Sequence, residues 1–441
     1  MTAETVSTTP EANASEVGTD DVKGPFSSAG VRCPTHFGYW EAKETPTWKK
    51  RERLAKKVFR HQLFPDDDKA QLLCEDLFAG DPVAERFVAE VFFGEIGPKK
   101  GRQMLMQALE EGVDAVEGAP DSMKELFAEF ESVPDWVDVE LVKKGAEVWR
   151  RWGTMLFSVA GAITLEIYTE GAVAKPLALA GGYAGDNALR RFLETSQFWI
   201  DMSEPGKILE PGSSARTTAM LVRVMHVSVR KRVGEHPEWD HDAYGLPISQ
   251  TYEQMTQIGG AVAPALSLWL AGVHTTPSEM RALIHFNRYM GHLVGVQPRW
   301  ATHTIRDQLQ VLAMATAART YDAGDAGKEL IESFPAAFAP RPGQRGLRRL
   351  RAWYNHRIYA AYCALWMAPP TRRMYDMPSA AFGLGVIVLR LPFLHTVEIL
   401  RRLPGLKQLH VKVVDRHRRN WLEAQMNGRK AAFDASSGLR K

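Results

Sequence analysis

The chain has 441 residues, 45% hydrophobic and 24% charged, an ordinary globular composition. Fifty-five basic residues stand against 52 acidic ones, a balance that argues against a dedicated nucleic-acid binder. Cys33, Cys74 and Cys363 are far apart and follow no metal-ligand spacing, so no disulfide framework is implied.

Residues 1–22 hold five acidic residues and no basic one, and lack a basic n-region or an apolar h-region. They read as a disordered acidic leader, with a cytoplasmic protein as the default expectation. Helical signals follow and strand signals are nearly absent. "DPVAERFVAEVFFG" offers Asp81 as an N-cap with Pro82 at the first helical position. "DVELVKKGAEVWRRWGTMLF" is an amphipathic helix capped by Asp138, entered through "SVPDWVD". "PGSSARTTAMLVRVMHVSVRKRVG" starts on Gly and Ser and stops at Gly234. "TPSEMRALIHFNRYMG" carries a capping box, Thr276 with Glu279, and apolar Leu283, Phe286, Met290 and Leu293 at helical spacing. The Pro- and Gly-rich "FPAAFAPRPGQRG" separates a C-terminal helical portion that starts near Leu347. "AAFGLGVIVLRLPFL", Ala380 to Leu394, is broken by Arg390 and Pro392, too short to span a bilayer; burial in the core is expected over a place on a membrane surface. Arg401 to Lys441 hold eleven Lys or Arg against three acidic residues and read as a solvated basic tail that could meet a membrane. The expected organisation is a leader over 1–45, one large all-helical domain over 46–404 and a tail over 405–441.

One helix is unusual. Arg223, His226 and Arg230 are spaced i, i+3 and i+7 and share a face, which Arg216 roughly continues; Leu221, Val222, Met225 and Val229 occupy the other faces. Buried guanidinium groups need counter-charges. Haem is one group that supplies them, because its iron takes a neutral imidazole and its propionates take arginines. Carboxylates from neighbouring helices would serve equally well. In "ALRRFLETSQFWIDM", Arg191 and Thr195 share a face and Glu194 lies on the adjacent turn. This is either a polar pocket beside an aromatic patch or a surface Arg–Glu pair. The Gly- and Ala-rich "EGAVAKPLALAGGYAGD" before it allows close packing of helices or of a flat ligand.

Taken in order, "VPDWVD", the Gly/Ala stretch, "RRFLETSQFW", "RTTAMLVRVMHVSVR" and "HFNRYMGHLVGV" resemble the rubber-oxygenase, latex clearing protein and MpaB-type catalytic-domain family. The resemblance covers roughly Val133 to Val296 and extends more weakly to "LWMAPPTRRMYDMP". It implies an all-α fold, with globin-like packing around a b-type haem, and an oxygenase activity. On the same basis His226 matches the proximal iron ligand and Arg223 and Arg230 the flanking arginines. Arg191 and Thr195 match residues of the distal helix, and Arg373, or else Arg372, matches a later arginine. Rubber-cleaving members carry a lysine immediately before the threonine, where this chain has Glu194. The distal chemistry is therefore expected to differ and polyisoprene is a doubtful substrate. The family's upstream catalytic glutamate aligns ambiguously, with Glu166 and Glu170 as the nearest candidates.

Other constellations carry less. His236, Asp240 and His241 sit in a breaker-rich stretch that reads as a solvated turn, and His285 and His292 read as core or surface histidines. Cys363 lies in an apolar setting that suits an inert packed thiol. The leading expectation is a haem-b oxygenase acting with dioxygen on a small apolar substrate, with possible oxidative C=C or C–C cleavage. Arg191, Glu194 and Thr195 would line its distal side. A non-catalytic haem sensor or store, and a cofactor-free helical interaction protein, are the alternatives.

Overall fold

A computed structural model describes residues 33–181 and 187–426. Among these residues the regular elements are helices, with no strand. Six of them, α1 (Tyr39–Lys43), α2 (Pro46–Phe59), α3 (Asp67–Glu75), α4 (Pro82–Phe87), α5 (Gly97–Glu111) and α6 (Asp121–Glu131), precede the long helix α7 (Val139–Ile167). There follow α8 (Gly171–Leu179), α9 (Ala188–Met202), α10 (Ser214–Gly234), α11 (His241–Tyr244), α12 (Gln250–Gly259), α13 (Val262–Leu270) and α14 (Pro277–Leu293). The last are α15 (Ile305–Ala317), α16 (Gly324–Ala336), α17 (Gly346–Trp366), α18 (Pro369–Met374), α19 (Ala381–Leu400) and α20 (Leu406–Met426).

The helix starts form where local chemistry places them. Asp81 accepts from the Ala84 N–H at 3.1 Å, and Asp138 from the N–H groups of Glu140 and Leu141 at 2.9 and 3.1 Å. Thr276 and Glu279 exchange side-chain to backbone bonds of 3.2 and 2.8 Å, a complete capping box.

Helix α7 is the axis of the core, with α13, α14, α17 and α20 packed along it. At Gly145 a Cβ would stand 2.3 Å from the Ala282 carbonyl and 2.4 Å from Phe286 Cβ, so only glycine lets α14 approach this closely. Gly153 adopts φ 61° and bends the helix. Trp149, buried beyond that crossing, donates to the Gly260 carbonyl at 2.7 Å and stacks on Trp199 of α9 at 4.5 Å. The large core cluster thereby joins α9 to the scaffold.

Three expectations are corrected. Phe37 and Tyr39 are buried, and Tyr39 packs edge-on against Phe64 at 5.4 Å, so the ordered body begins before Pro46. The supposed tail is half helix: Trp421 of α20 stacks on Phe157 at 5.4 Å, and buried Arg418 donates to the Ser203 hydroxyl at 2.8 Å. Its apolar stripe of Val411, Val414, Trp421 and Leu422 is hidden in sequence among the charges. The run Ala380–Leu394, expected in the core and too short to span a bilayer, lies on the outside, with Leu389 81% and Phe393 68% exposed, within a helix that is long and apolar enough to cross a membrane. Residues 1–32 of the expected leader and 427–441 of the tail lie outside the described residues.

Candidate functional site

The α9–α10 hairpin brings the two singled-out motifs onto neighbouring helices. It is joined near its turn by the Thr218 hydroxyl, which donates to Asp201 at 3.2 Å. Burial pushes the Asp201 carboxyl up to about 6, against hydrogen bonds from Gln197 and Thr218 that hold it down. A carboxyl raised above its unfolded value favours the folded state while protonated. That contribution is fully present below about pH 4 and is lost as pH rises through about 6. Relative to Asp201→Asn, the natural chain should therefore lose on the order of 2 kcal/mol between pH 4 and pH 7. Denaturant melts of the two proteins at both pH values check this, and equal shifts in both would refute it.

On α10 the arginine stripe faces inward and the histidine sits on its shoulder. Arg223 Nε and Nη2 lie 2.7 and 2.9 Å from the two Asp81 oxygens, and Nη2 also meets Glu129 at 2.7 Å. Burial works against the Arg223 charge, but the Asp81 and Glu129 carboxylates outweigh it and raise its pKa. Arg230 Nη1 pairs with Glu85 at 3.2 Å, both side chains being fully buried, while Nη2 donates to the Ile248 carbonyl at 2.6 Å. Arg216 meets Glu131 at 3.0 Å and the Tyr289 hydroxyl at 3.1 Å. The spacing of Arg223 and Arg230 left haem propionates or neighbouring carboxylates as partners, and Arg223 Nη1 is buried with no hydrogen-bond partner among the described residues. Their guanidinium groups are engaged by carboxylates of α4, α6 and α12, the other arrangement that the spacing allowed.

His226 is different. Its side chain is 31% exposed, and its Nδ1 donates to Glu253 of α12 at 2.9 Å. Nε2 has no protein hydrogen bond among the described residues. Leu221, Met225 and Val229 of the same helix are also half-buried. Arg230 Nη2 stands 3.5 Å from the second Glu253 oxygen and so braces the carboxylate that holds the imidazole. An imidazole bound at one nitrogen by a carboxylate and open at the other is the arrangement in which histidine ligates metal. The residues present fit an iron-ligating role for His226. Most of the donors of Arg223 and Arg230 are engaged by carboxylates and by the Ile248 carbonyl.

On α9, Glu194 is buried and paired with Arg191 at 3.0 Å and Arg190 at 3.6 Å, whereas Thr195 is exposed. Part of the Gly/Ala stretch, residues 182–186, lies outside the described residues. Of the two upstream glutamates, Glu166 is the more enclosed. It pairs with Arg319, accepts from the Thr371 hydroxyl at 2.8 Å and from the Ala368 N–H at 3.1 Å. Glu170 accepts from the Thr320 N–H at 3.1 Å, and burial raises its pKa. Arg372 and Arg373 are exposed on α18. The arginine that reaches this carboxylate pair is Arg319, which sequence reasoning missed because "ARTYD" has no pattern that distinguishes it.

The remaining candidates are structural. His285 Nε2 accepts from the Asp138 N–H at 2.8 Å. Burial, with Arg223, Arg216 and Arg288 nearby, pushes His292 down to about 4. His241 bonds the Gly234 carbonyl at 2.8 Å, next to the α11 cap made by Asp240. Burial pushes the Cys363 thiol up to about 12.

Residues 146–395 match the family described as ER-bound oxygenase mpaB/B′ and rubber oxygenase, catalytic domain. The chain belongs to the mpaB and rubber oxygenase catalytic-domain family. Within this family it is 22% identical over 191 residues to the rubber oxygenase of Streptomyces sp. (strain K30). The alignment spans 42% of this chain and 46% of that protein, less than half its length. The fold is similar to that of latex clearing protein in its closed state, with a TM-score of 0.56 and 16% identity. That likeness covers 79% of this chain and 91% of the other. The named members of the family are oxygenases, and the likeness to latex clearing protein shows a shared all-helical fold.

Proposed function

We propose that this protein is a haem-b-dependent oxygenase acting on a small apolar organic substrate, with His226 as the ligand to iron. The observation that carries the reading is the His226–Glu253 pair, with no protein hydrogen bond at Nε2 among the described residues, in a chain of an oxygenase family. Bound haem would supply the site of dioxygen chemistry.

The chain's own residues prepare that site. Glu253 keeps the proton on Nδ1, fixes the tautomer and makes Nε2 a better donor to metal. Arg230 restrains Glu253, so the α10–α12 geometry is set from behind. Leu221, Met225 and Val229 offer an apolar surface for a flat macrocycle and exclude water from it. On the other helix of the hairpin, Arg191 orients the Glu194 carboxylate, a group able to hold a proton. An acid there in place of a lysine is suited to proton transfer, and the bordering aromatic residues Phe198 and Trp199 suit an apolar substrate.

The test is the visible spectrum of protein produced with ample haem. The expected result is an intense Soret band whose pyridine extract identifies haem b. A colourless protein overturns the reading. Oxygen uptake that yields a carbonyl product distinguishes an oxygenase from a protein that only stores haem.

A further inference from the structure

Helix α19 packs on α17 along one side and presents an exposed apolar surface on the other. Leu389 is 81% and Phe393 68% exposed, and Val388, Ile399 and Leu400 are exposed beside them. The patch continues beyond the helix. Gly272, at the end of α13, sits where a Cβ would be 3.3 Å from Leu394 Cβ, which brings the exposed Trp269 and Leu270 alongside α19. Leu403, Leu406 and Leu409 carry the same surface into α20. Contiguous exposed apolar area on this scale marks an interaction site.

Three features decide what covers it. First, α19 is long and apolar enough to cross a membrane, yet both ends are tied to the body. Near its start Gly383 lies against the Arg357 carbonyl of α17, too close for any Cβ. Near its end buried Glu398 pairs with Arg151 at 3.4 Å and with Arg401 at 2.7 Å. A helix held at both ends can lie in a membrane interface but cannot pass through it. Second, the surroundings are cationic. From Ser333 to Tyr375 there is no Asp or Glu and there are eight arginines. Arg345, Arg348, Arg349 and Arg351 are exposed at the start of α17, whose Trp353 packs on Phe382 of α19 at 4.7 Å. Arg402 and Lys412 are exposed at the other end, and Lys407 beside them pairs with Glu147 at 2.6 Å. Third, a second copy of the chain would set this rim against itself, because a two-fold interface pairs a patch with its own image, and like charges would oppose it.

We propose that α19, with the end of α13 and the start of α20, is an in-plane docking face for an anionic lipid bilayer. Leu389, Phe393 and Trp269 enter the acyl boundary, and the flanking arginines and lysines meet lipid phosphates. This goes beyond the haem reading and does not depend on it.

The test is co-sedimentation of the full chain with vesicles of phosphatidylcholine alone and with vesicles rich in phosphatidylserine. The expected result is strong binding to the second, weakened by salt. Leu389→Ser/Phe393→Ser should lower binding at least tenfold, with melting and haem content unchanged because both side chains are already in solvent. Arg348→Glu/Arg349→Glu should lower binding to the anionic vesicles about tenfold or more. Equal, weak pelleting with both vesicle types overturns the proposal. So does a concentration-dependent dimer, seen by sedimentation velocity and dissolved by the Leu389→Ser/Phe393→Ser change, that binds no vesicles.

Discussion

His226→Ala is expected to remove bound haem almost completely while leaving the helical fold in place. The ring is partly exposed and makes a single protein hydrogen bond, to Glu253, so its direct contribution to stability is about 1 kcal/mol. Glu253 is left with Arg230 as its counter-charge, which limits the cost of the buried carboxylate. By contrast, the His226 imidazole is the side chain that would hold the iron in the proposed site. The Soret absorbance per protein should fall at least tenfold, with far-ultraviolet circular dichroism unchanged. Added imidazole should restore part of the band by filling the vacated position. Glu253→Gln is the informative companion: it keeps an acceptor for the Nδ1 proton and removes the charge. Haem should stay bound, and the iron reduction potential should rise because the imidazole becomes a weaker donor. Full haem content in His226→Ala would remove this residue from the ligand role, and an unmoved potential in Glu253→Gln would disconnect Glu253 from it.

What could be read in the sequence was what local chemistry decides. The caps at Asp81, Asp138 and Thr276 need partners only two to three residues away, and all three formed. The start of α10 and its stop at Gly234 followed from the same kind of signal. The orientation of the Arg223–Arg230 stripe was not legible. Spacing puts the residues on one face, but Asp81, Glu129 and Glu85 decide where that face turns, and they stand 94 to 145 residues away. Glu253, the partner of His226, is 27 residues on, in another helix, and no motif joins the two. Helix α19 failed for a further reason. An apolar run signals a need for an apolar neighbour without saying whether the chain provides it, and here α17 covers only one side. The family resemblance correctly anticipated the helical architecture. The individual residue roles it suggested had to be tested against each side chain's partners.

Arg230→Met should be the most destabilising single change near the site. The guanidinium is fully buried and meets the equally buried Glu85 at 3.2 Å and Glu253 at 3.5 Å. It also donates to the carbonyls of Pro247 and Ile248 at 3.3 and 2.6 Å. Ile248 has φ 53°, a left-handed conformation that a β-branched residue adopts only under constraint. Methionine fills much of the volume but leaves Glu85 without its main counter-charge and releases the strained loop. Breaking a buried pair from one side costs about 3–5 kcal/mol. Glu85 cannot move away cheaply, since it also accepts from the Asp81 N–H at 3.1 Å and is packed against Gly80. The double change Arg230→Met/Glu85→Leu removes both charges and should recover part of the loss, a coupling that a double-mutant cycle in denaturant measures. If Arg230→Met instead cost less than about 1 kcal/mol, like an exposed ion pair, the inward-facing stripe would not be what anchors α10. Loosening Glu253 should also lower haem affinity in folded Arg230→Met protein. That second readout separates a brace for the His226 imidazole from an arginine that only supports the fold.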